Sequence, residues 1–178
     1  MASGFIFPVS VYGQVSDVFG TNITAYANTL GFPGGSGLQL GMFGVLFDRT
    51  ICRLIKAGGG INPNDAMYNQ IGNSNDYTLL QTTALGQKVL AINDRAGSTP
   101  LVSGNIAWAT EQGIATANVL GSLTAGAQTL VSSATAGFLG PYTMGTVSGA
   151  NVIGQSVQTN IDLLNTTTTQ GTYPVRIG

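Results

Sequence analysis

The sequence predicts a mainly β protein, a compact β-barrel or β-sandwich of short antiparallel strands with an extended N-terminal arm. Three observations predict it. The apolar runs are brief, and turn-forming residues bound each of them. In residues 1–44 no 3.6-residue period survives over a helix-length window. Gly makes up 26 of the 178 residues, roughly twice the ordinary share, so the chain is interrupted too often for long helices.

Two segments are expected, 1–44 as the arm and 45–178 as the β-rich domain. Residues 1–44 carry a single charge, Asp17. Aromatics are scattered through them at Phe5, Phe7, Tyr12, Phe19, Tyr26, Phe32 and Phe43. Gly31-Phe32-Pro33-Gly34-Gly35-Ser36-Gly37 breaks the chain near their end. A segment so interrupted has difficulty forming its own core, yet its rings favour burial. An arm laid over the body or over a neighbouring subunit satisfies both; ordinary strands of the same domain are the alternative.

From Val45 the runs become strand-like. Val45-Leu46-Phe47 leads through Asp48-Arg49 into Ile51-Cys52-Arg53-Leu54-Ile55-Lys56. Gly58-Gly59-Gly60 and Asn62-Pro63-Asn64-Asp65 form a turn cluster before Ala66-Met67-Tyr68-Asn69-Gln70-Ile71. A second cluster, Gly72-Asn73-Ser74-Asn75-Asp76, precedes Tyr77-Thr78-Leu79-Leu80-Gln81-Thr82-Thr83, and Lys88-Val89-Leu90-Ala91-Ile92-Asn93 follows.

The local geometry is clearest over 101–119. Gly104-Asn105 suits a two-residue turn between Leu101-Val102-Ser103 and Ile106-Ala107-Trp108-Ala109-Thr110. Glu111-Gln112-Gly113 reads as a three-residue hairpin loop with a left-handed Gly, leading to Ile114-Ala115-Thr116-Ala117-Asn118-Val119. The result would be a β-meander. Alternation puts Ile106, Trp108 and Thr110 on one face, which suits a core. Ala107 and Ala109 share the other face, open to close approach by another layer or subunit. Further on, 128–132 is a candidate strand, Gly140-Pro141 a break, 150–164 further strand material with a short helix at 162–165 left open, and 173–177 a final strand.

Composition excludes several functions. Lys+Arg is 6 and Asp+Glu is 7, a net charge of −1, so phosphate neutralisation on nucleic acid is not expected. With 43% hydrophobic residues and a mean hydropathy of +0.26, the chain is not a charged disordered segment. No apolar run reaches the roughly 18 residues of a membrane helix. The first residues lack a basic n-region and a long apolar stretch, so cytoplasmic synthesis without a secretion signal is expected. Cys52 is the single cysteine, expected to be a small buried hydrophobe.

Reactive constellations are sparse. Histidine is absent, which removes Ser-His-Asp and Cys-His chemistry and His-containing metal clusters. The glycines match neither a P-loop nor a dinucleotide fingerprint. Asp94 and Glu111 are the one pair imaginable for glycoside cleavage, but both fall in expected loops, where a solvated acid is the default. Asp48, Arg49, Arg53 and Lys56 read as a salt-bridged strand edge. Asn62, Asn64 and Asp65, and likewise Asn73, Asn75 and Asp76, read as turns rather than calcium loops. No catalytic residue, cofactor or metal is expected.

A resemblance adds to this reading. Arg53-Leu54-Ile55-Lys56-Ala57-Gly58-Gly59-Gly60-Ile61-Asn62-Pro63-Asn64-Asp65-Ala66 is followed by Val89-Leu90-Ala91-Ile92-Asn93-Asp94. The hairpin-like stretch around Trp108 comes next, then Leu123-Thr124-Ala125-Gly126-Ala127-Gln128-Thr129-Leu130 and Ser133-Ala134-Thr135-Ala136-Gly137. This order over 53–139 resembles the head decoration (cement) proteins of tailed bacteriophages. The resemblance implies a non-enzymatic homo-oligomer, dimer or trimer. It would sit on the outer surface of the virion head and tie major capsid protein subunits together. A tail-fibre module or a major shell protein is the alternative. From the residues themselves, the arm aromatics Phe5, Phe7, Tyr12, Phe19, Tyr26 and Phe32 are the expected partner contacts. Neither nucleic acid nor membrane is an expected partner.

Overall fold

A computed structural model of the chain describes residues 5–7, 40–41, 43–69, 77–95, 98–125, 130–142, 161–167 and 169–178. The regular elements among the described residues are all strands: β1 (Phe5–Phe7), β2 (Phe43–Leu46), β3 (Ile51–Ala57), β4 (Ala66–Asn69), β5 (Thr78–Gln81), β6 (Ala91–Ile92), β7 (Ile106–Val119), β8 (Leu130–Ser132), β9 (Leu139–Pro141), β10 (Ile161–Leu163) and β11 (Gly171–Ile177).

Five of them close on one another. β3 pairs with β5, β5 with β4, β4 with β6, β6 with β7, and β7 returns to β3. The mainly β fold class is therefore a closed five-strand barrel with outer strands. Most pairings are antiparallel, but β3–β5 and β7–β9 are parallel. Closure removes sheet edges, which suits a chain with few charges to protect them.

Both expected faces of β7 are buried, and the barrel interior decides which one lines the lumen. Ile55 pairs with Ala107 and Arg53 with Ala109, so these residues share the inward face of the β3–β7 ribbon. Ile55, Ala57, Ile61, Met67, Leu79, Ala91, Leu101, Ala107 and Ala109 form one core. A barrel grows wider with strand number, and five strands leave a narrow lumen. The small Ala107/Ala109 face therefore lines the interior. Trp108 and Leu54 lie across from each other on the outer face, and they too are buried.

A second core lies beside the barrel. Ala115, Ala117 and Val119 pack with Val89, Ile92, Leu123, Leu130, Leu139, Ile161, Leu163, Val175 and Ile177. β11 pairs with β7 from Ile177↔Gly113 to Gly171↔Val119, β10 pairs with β11, and β8 with β9. β7 thus serves both cores, its first half in the barrel and its second half in the outer layer.

This corrects the expected meander. Glu111-Gln112-Gly113 does not reverse the chain; β7 runs through it for 14 residues. Ile51 faces Gln112 while Cys52 faces Thr110, so Glu111 is an unopposed bulge residue. Gly113 has a φ of +104°, and a Cβ there would lie 2.9 Å from the Thr50 Cα. The left-handed glycine is where the sequence put it, but it bends a shared strand instead of closing a hairpin. Gly104, with a φ of +89°, does form a turn, yet Leu101 bridges Ile61 and β7 pairs with β3. The supposed break at Gly140-Pro141 lies in β9, an end strand position that proline tolerates. Residues 161–163 form strand, not helix.

Among the described residues the expected arm contributes β1, whose Phe5 and Phe7 pair with Leu46 and Val45 of β2, and the start of β2. β2 itself starts at Phe43, so it crosses the expected 44/45 boundary.

Candidate interaction surface

The exposed large apolar side chains include Phe43, Phe47 and Ile114, on β2, just after it and on β7. β2 alternates with Gly44 and Leu46 buried, which turns Phe43 and Phe47 outward. Phe43 is 51% exposed and Phe47 77% exposed. A tight turn follows: the Leu46 N–H donates to Thr50 O at 2.8 Å and the Arg49 N–H to Leu46 O at 2.9 Å. Asp48 Oδ1 accepts from the Thr50 N–H at 2.9 Å. Burial tends to raise the Asp48 carboxyl, but hydrogen bonds from Thr50 and the positive charge of Arg95 outweigh it and leave it below its ordinary value. Thr50 abuts Gly113, and Ile114, the next residue of β7, is 48% exposed.

The barrel mouth beneath is sealed by a polar plug. Arg53 continues the inward face of β3 beyond Ile55. Its guanidinium pairs with Glu111 at 2.6 Å, donates to Gly41 O at 2.7 Å, and stacks over the Tyr77 ring at 5.2 Å. Gly41, at a φ of +83°, lies so close to Tyr77 that a Cβ would overlap the ring. The β7 bulge is what presents Glu111 to Arg53. The expected Asp48–Arg53 edge cluster is therefore corrected: Asp48 caps a turn and Arg53 pairs across to β7.

The two acids singled out for glycoside chemistry are both committed elsewhere, and neither is a solvated loop acid. Glu111 is held by Arg53. Asp94 is buried, its side chain 4% exposed, accepting from Thr110 Oγ1 at 2.7 Å and from the Thr116 N–H at 3.3 Å. Arg95 Nε lies 3.5 Å from Asp94 Oδ1 and donates to Thr110 Oγ1 at 3.1 Å. Burial raises the Asp94 carboxyl despite these partners. The group clamps both halves of β7 across its bulge. Cys52 is fully buried, and desolvation pushes its thiol up to about 12, which suits an inert hydrophobe.

Residues 62–65 form a turn as expected, with Asn64 at a φ of +65°, but Asp65 is buried. Its Oδ2 accepts from the Asn62 N–H and Gln81 Nε2, both at 2.6 Å, and its Oδ1 from Asn118 Nδ2 at 2.9 Å. These donors occupy the lone pairs a calcium ion would need. Among the described residues no group of three or more His, Cys, Asp or Glu could hold a metal, and no helix is long and apolar enough to cross a membrane.

Of the expected contact residues, Phe5 and Phe7 lie in β1, while Tyr12, Phe19, Tyr26 and Phe32 lie outside the described residues. The exposed Phe43, Phe47, Ile114 and Val102, the last 61% exposed, were not among them. Period-two alternation through Phe43-Gly44-Val45-Leu46-Phe47 is the signal that marks the first two. No family model matches this chain, and no curated protein matches it.

Proposed function

We propose that this chain is a structural virion protein, a head decoration or cement protein that binds the outer surface of a phage capsid and ties neighbouring capsid subunits together. The observation that carries the reading is the exposure of Phe43, Phe47 and Ile114 on a chain with only 7% charged residues. Large exposed rings on a surface so poor in charge favour lasting contact with other chains. Cementing a shell requires area and apolar anchors rather than a reactive centre. The acids and the thiol that could have served chemistry are buried or paired, which supports the same reading. The arm aromatics would extend the contact to major capsid protein or to further copies of this chain.

The test is shell binding. The purified protein, mixed with expanded heads lacking it, should cosediment with them and raise their resistance to heat. The Phe43→Ser/Phe47→Ser double variant should fold normally and lose at least tenfold in apparent affinity. Heads equally robust with and without the protein would contradict the cementing role.

A further inference from the structure

The barrel closes β3, β5, β4, β6 and β7 on one another, but the sheet runs on past it to two ends, β10 and the β1–β2 pair. The two ends are built differently. β10 carries Asp162 opposite Arg176 of β11, charges of the kind that discourage further pairing. β2 carries none, and Phe43-Gly44-Val45-Leu46 runs into the equally uncharged Phe47. One edge of β2 is held by β3, through Phe43↔Arg53, Gly44↔Cys52 and Val45↔Ile51. The other edge, left bare, would be an apolar template for a strand. Among the described residues β1 alone covers it.

That cover is slight. β1 has three residues, and its pairing consists of Phe5↔Leu46 and Phe7↔Val45 with a register shift between them. Among the described residues β1 pairs with no other strand. About two to five residues are enough to join antiparallel neighbours, yet residues 8–42 separate β1 from β2. At full extension that length reaches on the order of 100 Å, enough to arrive at another molecule. A connection so long gives a chain's own β1 little advantage over the β1 of a second copy. Exchange between copies conserves each β1–β2 contact, so it costs the fold little.

We propose that β1 is an exchange strand: the outer edge of β2 in one copy takes up β1 of a second copy, antiparallel and in the same register. Each copy donates one strand and accepts one. Main-chain hydrogen bonds make the join, as in other cases of strand addition to a sheet edge. Phe43 begins β2 and Phe47 follows it, and exposed rings bordering an uncharged edge suit contact with another chain. The inference stands apart from the cementing role, since exchange between copies needs no shell.

Cross-linking tests it. Paired antiparallel residues lie about 4.5–5.5 Å apart at Cα, within disulfide range. Cys52 is buried and does not compete. Two full-length copies of different mass are coexpressed, one with Phe7→Cys and the other with Val45→Cys, and oxidised. The disulfide between positions 7 and 45 should join the two copies. Its yield should exceed by roughly tenfold or more that of Phe7→Cys with Val102→Cys, because strand pairing supplies a local concentration in the millimolar range. In one chain carrying both Phe7→Cys and Val45→Cys, a bond that closes only within the chain would overturn the inference. The wild-type protein gives a second readout that no folding failure can remove. In a refolded equal mixture of 13C-labelled and 15N-labelled copies, isotope-filtered NOEs should connect Phe7 of one copy to Val45 of the other. NOEs confined to single copies, or a wild-type chain monomeric at about millimolar concentration, would sink the proposal. So would assembled particles in which β1 pairs with a capsid subunit instead of a second copy. The solution experiments involve no heads, so their failure is distinct from failure of the cementing role.

Discussion

The two halves of β7 solve opposite packing problems. In the barrel half, Ala107 and Ala109 point into a lumen only five strands wide, and the bulk of Trp108 lies outside it. In the outer half, Ala115, Ala117 and Val119 face an open layer filled from the other side by Leu130, Leu139, Ile161, Leu163, Val175 and Ile177. Both halves present small residues, but the reasons differ. In the barrel the closing strands set the volume, so side-chain size is capped. In the outer layer the facing strands supply the volume, so size is shared between partners. The bulge at Glu111 and the bend at Gly113 separate the two regimes and let one strand serve both.

Substitutions that add or remove volume would sharpen this contrast most. Leu163→Ala should cost about 2–5 kcal/mol by leaving a cavity in the outer core. Ala109→Leu should cost about 1–3 kcal/mol or more through overpacking, because the closed lumen cannot widen. Ala117→Val, facing the more adaptable layer, should cost less than Ala109→Val. Denaturant unfolding checks all four variants, and equal costs for the two valine variants would break the comparison.

The hinge comes next. Gly113→Ala meets both a left-handed φ and the Thr50 backbone, and it should cost about 1–3 kcal/mol. Gly104→Ala, at a φ of +89° but with open space around its Cβ, carries the strain without the clash and should cost less. Thermal melts of the two variants would separate backbone strain from crowding.

The smallest effect is expected at the plug. Arg53→Ala removes a half-buried pair and a ring contact, worth about 1 kcal/mol. The loss should leave the outer core untouched. Amide exchange should therefore quicken at β3 and the barrel half of β7, with β10 and β11 unchanged.

How much of this was legible in the sequence depends on range. The strand runs expected at 51–56 and 173–177 fall within β3 and β11, because β-branched and apolar residues cluster there between turn formers. Gly113 was recognisable as left-handed, yet its role depended on what lay opposite it. Only the pairing of Ile51 with Gln112 makes it a bend rather than a reversal. That Ala107 and Ala109 line a lumen was not legible, because strand number sets lumen width and no local pattern states how many strands will close. Asp65 looked like any turn acid, since its burial comes from Gln81, Asn118 and Gly137, all distant in sequence. The exposed Phe47 was within reach of simple alternation.

The proposed cementing role rests on contact rather than chemistry, and direct imaging of intact particles tests that most squarely. It predicts this chain in many copies on the outside of the head, with Phe43 and Phe47 buried against a neighbouring subunit. Particles without the chain on their shells, together with a purified protein that stays monomeric and turns over a substrate, would contradict it.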